Sequence, residues 1–335
     1  MTEVQQKFSS NFKRTLFKVN ENTFDEVALS LFNHQVKHTL VYKRFVEALG
    51  IDIDKVSEIK QIPFMPISFF KNHEVLTEGS TIEKTFQSSG TTGKTTSKHH
   101  FTDVAFYVQN TLNIFESYYG GVAEYKIIAL LPSYIERGNS SLLAMCDAFI
   151  KKSKFAGSGF YLDDFKQIIK ELDEARERQT KVLFIGVTFA MLDFAEKHDV
   201  QLSEGVVVME TGGMKGRREE LTRHEVHQVL QRAFGVSSIH SEYGMTELSS
   251  QLYSKGNGVF QSPPWVKTML RDINDPLSCS SEIVSGPINI IDLANVDSCA
   301  FLATDDLGKY TPNGALQIMG RVDNSDMRGC NLLVL

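Results

Sequence analysis

Apolar residues recur at helical spacing early in the chain and as short continuous runs further on. Phe24, Val27, Ala28, Leu31 and Phe32, followed by Leu40, Val41 and Phe45, predict an amphipathic helix over 23–49. Thr23 and Glu26 have the spacing of a capping box, and Gly50 fits a helix stop. The proline-bearing segment IPFMPISFF (62–70) leads into FQSSGTTGKTTSKHH (86–100), where glycine, hydroxyl and lysine residues crowd together. Beyond it the pattern alternates. YKIIALL (125–131), KVLFIG (181–186), VVVME (206–210) and SSIHSEY (237–243) read as strands. LLAMCDAFI (142–150), DDFKQIIKELDEA (163–175), TFAMLDFAEKH (188–198) and RREELTRHEVHQVLQRAF (217–234) read as helices. Short apolar strands alternating with helices predict parallel α/β layers. From residue 280 onward the pattern shifts to strands and turns, in EIVSG, INIID, CAFLATDD and LQIMG, and an internal division is expected near 275.

Composition narrows the function classes. The 335 residues are 42% hydrophobic, enough for a sizeable core. A net charge of -6 argues against nucleic acid as the main partner, because neutralising phosphates needs a basic surface. No apolar run approaches the ~20 residues of a membrane span, so an integral membrane protein is not expected. The opening MTEVQQKFSS shows no apolar signal-peptide core. Cys146, Cys279, Cys299 and Cys330 are sparse and lack CxxC spacing, which fits free thiols in a reducing cytoplasm. Cys146, on a predicted helix, and Cys299, in a predicted strand, are expected in the core.

The glycine-rich stretch raises the first chemical question. A Walker loop requires G-x-x-x-x-G-K-[ST]. Gly93, Lys94 and Thr95 supply its end, but Ser88 stands where the first glycine should be. The alternative is a hydroxyl-rich loop of Ser88, Ser89, Gly90, Thr91, Thr92 and Gly93. Its glycines would let backbone N–H groups close around an anion, with hydroxyl donors beside them and charge from Lys94 or Lys98. Taken alone, the stretch fits a flexible surface loop equally well.

Other segments decide between these readings. S-S-G-T-T-G resembles the phosphate loop of the adenylate-forming superfamily, which includes acyl-CoA synthetases, peptide-synthetase adenylation domains and firefly luciferase. The family's following x-P-K is replaced here by Lys94-Thr95-Thr96, with the second lysine at Lys98. S-E-Y-G-M-T-E (241–247) resembles the family's Y-G-x-T-E motif. The resemblance implies that Tyr243 stacks on adenine, that Gly244 permits the sharp turn and, with Met245, helps bind the nucleotide, and that Thr246 donates to the α-phosphate. It makes Glu247 the Mg²⁺ ligand, a hard oxygen donor suited to that ion. E-T-G-G-M (210–214) resembles the loop that lies against adenine and the acyl group, which brings in Gly212, Gly213 and Met214. A-T-D-D-L-G (303–308) resembles T-G-D-L and puts the ribose-binding carboxylate on Asp306. G-R-V-D-N-S-D-M-R-G-C (320–330) resembles the G-R-x-D…R-G hinge, one residue shorter than usual, with Arg321 at ribose or phosphate.

Longer phrases, including LLPSYIERGNSSLLAM, METGGMKGRREELTR and IDLANVDSCAFLATDDLG, look like the LuxE acyl-protein synthetases, neighbours of the phenylacetate–CoA ligases. That resemblance implies an α/β adenylation domain over 1–318. Parallel and mixed sheets would be flanked by helices, with a smaller β-rich part near the C-terminus. Residues 319–335 would be a hinge-like tail carrying Cys330, and the family's mobile C-terminal domain, with its catalytic lysine, has no counterpart. It also implies ATP and Mg²⁺ as cofactors and a fatty or aryl carboxylic acid as substrate. The acyl group would pass to Cys330 and on to a partner reductase. CoA or an acyl carrier protein is an alternative acceptor that would leave Cys330 idle. A non-catalytic nucleotide-binding scaffold is a third reading, disfavoured by the presence of Glu247 and Asp306. HEVH (224–227) is one residue short of a zinc-protease motif, so His224 and His227 are expected to face solvent. Phe189, Met191 and Phe194 fit a lipid pocket or, more simply, a core.

Overall fold

A computed structural model describes residues 1–88, 95–132, 138–213, 221–279 and 282–321. These residues form two compact units through which the chain passes more than once. The first unit takes in 1–110, 245–250 and 262–321, and the second takes in 111–244 and 251–261. Residue 275 lies inside the first unit.

The first unit opens with helix α1 (Glu3–Thr15). The predicted helix over 23–49 is two helices, α2 (Phe24–His38) and α3 (Leu40–Ala48). Thr39 separates them with an extended backbone, φ -106 and ψ 96, and its buried hydroxyl donates to the Ser298 carbonyl at 3.1 Å. Gly50, at φ +66, ends α3 as expected. The capping box does not form: the Thr23 hydroxyl pairs with the backbone of Asn20 and makes no bond to the first turn of α2. Phe32, Tyr42 and Phe301 pack with ring centroids 5.9 to 6.2 Å apart and anchor both helices to the core. Strand β1 (Met65–Pro66) follows, then a hairpin of β2 (Lys84–Gln87) and β3 (Lys98–Phe101). Helix α4 (Val104–Tyr119) carries the chain across the division.

The second unit is built on a 6-stranded sheet. In chain order its strands are β4 (Tyr125–Leu130), β5 (Gly159–Phe160), β6 (Lys181–Val187), β7 (Val206–Thr211), β8 (His240–Tyr243) and β9 (Leu252–Ser254). In space the order is β5-β4-β6-β7-β8-β9, parallel except that β9 runs antiparallel to β8. Strand β10 (Val259–Phe260) comes next in the chain. Nearly every residue of β4 and β6 is buried, which is why these strands read as unbroken apolar runs. Helices α5 (Ser141–Lys152), α6 (Phe165–Glu177), α7 (Thr188–Lys197) and α8 (Arg223–Phe234) separate the parallel strands in sequence. Phe184, Phe194 and Phe234 meet at 5.6 to 5.9 Å, and Phe189 and Met191 are buried as well, so these side chains serve the core.

The first unit then resumes with β11 (Val266–Leu270), β12 (Ser285–Asp292), β13 (Phe301–Tyr310) and β14 (Leu316–Arg321). They form an antiparallel array in the order β14-β13-β12-β11, with β1 parallel to β13. Of the two predicted strands, INIID lies wholly in β12, whereas EIVSG contributes only Ser285 and Gly286; β12 carries a register irregularity between Pro287 and Asn289, where proline lacks an N–H.

Candidate functional site

In the first unit the glycine-rich stretch springs from the β2–β3 hairpin, whose register pairs Phe86 with His99 and Gln87 with Lys98. At its base the Ser88 amide donates to the Ser97 carbonyl at 3.0 Å, and the Ser97 amide donates to Ser88 Oγ at 2.9 Å. Ser88 therefore closes the hairpin and still has its own hydroxyl proton to donate.

Residues 246–250 form the other half of this cluster. Their backbone is gripped by side chains from far along the chain. His99 Nδ1 meets the Thr246 carbonyl at 2.8 Å, and Asn295 Nδ2 donates to the Glu247 carbonyl at 2.8 Å. The Asp292 carboxylate accepts from the Ser249 and Ser250 amides, each at 2.9 Å, and from the Ser250 hydroxyl at 2.7 Å. Ser249 in turn donates to Asn295 Oδ1 at 2.5 Å. Thr246 and Glu247 are buried. Burial raises the Glu247 carboxyl, with Asp306 adding to the rise, against hydrogen bonds from Ser97 and its own backbone and the charge of Arg321. Asp306 and Arg321 face each other on β13 and β14, with Nε 3.4 Å from Oδ1.

In the second unit the polar residues collect at the C-terminal ends of β7 and β8, the edge where open α/β sheets bind ligands. Register places Glu210 beside Ser241 and Thr211 beside Glu242. Thr188 Oγ1 donates to Glu210 Oε2 at 2.9 Å, and Thr211 Oγ1 donates to Glu242 Oε2. Burial works to raise Glu210, but a hydrogen bond from His227 and the charge of Arg223, with help from Ser241, hold it below the usual range. Among the described residues no cation is paired with Glu242. Burial, with the charge of Glu210 behind it, lifts Glu242 to about 7 against its bond from Thr211. A Cβ at Gly244 would lie 2.5 Å from Glu242 Oε1, so any larger residue there would have to displace that carboxylate. Gly212, at φ +78, uses the freedom of glycine to leave β7.

A family model for acyl-protein synthetase, LuxE, matches residues 8–106. A long-chain-fatty-acid–luciferin-component ligase of Photorhabdus luminescens is 36% identical over 87 residues, covering 26% of this chain and 74% of that relative. The chain belongs to the LuxE acyl-protein synthetase family. Among solved structures, ATP-bound MatB from Rhodopseudomonas palustris matches this LuxE-family chain at a TM-score of 0.54 and 15% identity, over 72% of this chain and 48% of its own. An ATP-bound chimera, RpMatB-BxBclM B3, matches at the same TM-score and identity over 73% and 49%. The fold is thus that of adenylate-forming enzymes, and the LuxE-family chain spans about half the length of these solved structures.

The structure distributes the predicted residues of this LuxE-family protein over both units. Ser88, Met245, Thr246, Glu247, Asp306 and Arg321 belong to the first, and Gly212, Gly213, Tyr243 and Gly244 to the second. The division thus falls inside the Y-G-M-T-E motif. Ser89, Gly90, Thr91, Thr92, Gly93, Lys94, Met214 and Cys330 lie outside the described residues. Within the first unit Glu247, Asp306 and Arg321 are close enough to bias one another's charge. Mg²⁺ beside a triphosphate is usually held by one or two carboxylates plus phosphate oxygens, and Glu247 offers one buried hard-oxygen ligand of that kind. Among the described residues no cluster of three or more His, Cys, Asp or Glu side chains could hold a metal by itself. Among them, too, no helix is long and apolar enough to cross a membrane.

Sequence reasoning missed Asp292, Asn295, Glu210 and Glu242. It also placed His227 in solvent. His227 is buried and lies 3.5 Å from Glu210 Oε1, whereas His224 is exposed as expected. The spacing of His227 with Val226, Leu230 and Phe234, behind the Thr222–Glu225 capping box, was the signal that could have shown it facing inward.

Glu242 gives a stability prediction with a definite sign. Its folded value near 7 lies above the ordinary 4.5, so the folded state holds the proton more tightly than the unfolded state between those values. Stability should therefore fall as pH rises through that window. Glu242→Gln is expected to melt above the parent at pH 8 and to lose the difference at pH 5, read by thermal denaturation across pH.

Proposed function

We propose that this chain activates a carboxylic acid of the fatty class with ATP and passes the acyl group to a thiol, first that of Cys330. The observation that carries the reading is the segment 246–250, its Thr246 and Glu247 carbonyls held by His99 and Asn295 and its Ser249 amide by Asp292, within the same unit as the Ser88 hairpin and Asp306. Membership in an acyl-protein synthetase family supports it, as does the name of the Photorhabdus relative, a long-chain-fatty-acid–luciferin-component ligase. The ATP bound in the R. palustris structure of the same fold supports the nucleotide.

In this reading the substrate carboxylate oxygen attacks the α-phosphorus of ATP in line. The bond from that phosphorus to the bridging oxygen breaks, and pyrophosphate leaves. The donors of Ser88, Ser89, Gly90, Thr91, Thr92 and Gly93, with Lys94 or Lys98, stabilise the departing charge. Thr246 donates to the α-phosphate and Asp306 accepts from the ribose hydroxyls, with Arg321 beside it. Glu247 would hold Mg²⁺, which neutralises phosphate charge when bound. Positioning supplies most of the acceleration. The Cys330 thiolate then attacks the acyl carbonyl, AMP leaves with the anhydride oxygen, and a thioester remains for transfer to a reductase or carrier.

The test is ATP–pyrophosphate exchange dependent on added acid. The reading requires exchange with at least one fatty acid and none without acid. Exchange that ignores every acid would end it. Asp306→Ala is expected to raise the KM for ATP about tenfold or more, the size of a lost hydrogen bond to a charged group, with the KM for acid little changed.

A further inference from the structure

The segment leading into and along β3 alternates. Ser97, His99 and Phe101 are buried while Lys98 is exposed, so one face with a period of two residues turns inward. On that face the Ser97 hydroxyl bonds the Glu247 carboxylate. Two residues on, His99 Nδ1 lies 2.8 Å from the Thr246 carbonyl oxygen. A carbonyl only accepts, so Nδ1 carries the proton, and Nε2 accepts the Ser298 hydroxyl at 2.9 Å. The rings of Phe70 and Phe101, at 5.2 and 4.3 Å, fix the imidazole plane. Burial lowers His99 to about 4, so the ring stays neutral and keeps this tautomer at neutral pH. A buried imidazole oriented on every side thus directs its one N–H at the backbone of the residue before Glu247.

We propose that His99 is a positioning residue for adenylation. It fixes the Thr246–Glu247 turn against the β2–β3 hairpin and so sets where the Thr246 hydroxyl and the Glu247 carboxylate meet the phosphates. The inference rests on the proposed function above. Its consequence is a turnover effect: the ribose contact assigned to Asp306 does not depend on His99, so nucleotide affinity is spared while the geometry of the reacting phosphate is lost.

The experiment compares the full chain with His99→Asn and His99→Gln. The Asn amide can occupy the place of Nδ1 and donate to Thr246, whereas the Gln amide reaches the place of Nε2 and leaves that carbonyl without its donor. Acid-dependent ATP–pyrophosphate exchange is measured at saturating acid with ATP varied, beside thermal melting. His99→Gln is expected to lower kcat about 30-fold, in line with the cost of small misplacements, with KM for ATP within about threefold of the parent. His99→Asn is expected to recover most of that loss, although both variants lose some thermal stability. Ser298→Ala, which removes only the hydroxyl that fixes the tautomer, keeps the test open if the Gln side chain disrupts folding. It should lower kcat by about threefold without raising KM. A His99→Gln protein as fast as the parent, or Asn and Gln variants slowed equally, would overturn the inference alone, as would an unchanged kcat in Ser298→Ala. A parent without acid-dependent exchange would overturn the adenylation reading and take the inference with it.

Discussion

Glu247→Gln is expected to lower acid-dependent ATP–pyrophosphate exchange by about 100-fold or more, the usual cost of removing one preorganised charge-stabilising group from a phosphoryl or acyl transfer site. The variant keeps the size of the side chain and its bond to Ser97, and it loses the hard-oxygen charge. Folding should not suffer. A carboxyl whose folded value is raised by burial penalises the folded state once it ionises, so the Gln variant should melt at or above the parent at pH 7. The same shift sets the pH dependence of the parent. In the proposed function the ionised form is the one that would bind Mg²⁺, and it forms at higher pH than for an exposed glutamate. Exchange should therefore rise with pH through a range above the ordinary carboxylate value, and Glu247→Gln should lack that limb. Exchange measured against pH and Mg²⁺ concentration checks both points. A variant within threefold of the parent would remove Glu247 from the mechanism.

Cys330→Ala is expected to abolish the acyl-protein adduct, by more than about tenfold, while pyrophosphate release from ATP persists. The three cysteines within the described residues favour no other acceptor. Cys146 and Cys299 are fully buried, and burial pushes both thiols upward, Cys299 to about 12. Cys279 is half-buried and also raised by burial, although Asn289 and Arg271 work against the rise. A thiol held protonated is a poor nucleophile toward an acyl-adenylate. Cys330 lies outside the described residues and stands two positions from Arg328 in sequence, a cation that in the proposed function would favour its thiolate. Hydroxylamine lability of the labelled protein reads the thioester. An adduct that survives in Cys330→Ala would move the acceptor to another residue, and pyrophosphate without adduct in the parent would move it to CoA or a carrier protein.

The sheet of the second unit was legible because both its faces are covered: β4, β6 and β7 are apolar along most of their length, and the helices between them keep helical period. The break at Thr39 was not legible, since the partner that holds it extended, Ser298, lies 259 residues away. The interleaving of the units was hidden for the same reason, because local pattern does not report which distant segments pack together. Thr246, Glu247 and Asp306 stood out through short motifs whose residue types suit nucleotide chemistry. The residues that hold the segment 246–250 did not. His99, Asp292 and Asn295 act over separations of 147, 43 and 48 residues, and nothing beside them in sequence marks the contact. Glu210 and Glu242 become neighbours only through the register of β7 and β8.

The most direct test of the account is the intact mass of the protein after incubation with ATP, Mg²⁺ and a panel of carboxylic acids, with pyrophosphate followed in the same tubes. The account predicts pyrophosphate release that depends on a fatty acid, together with a hydroxylamine-sensitive mass gain equal to that acyl group. Neither signal with any acid would contradict it.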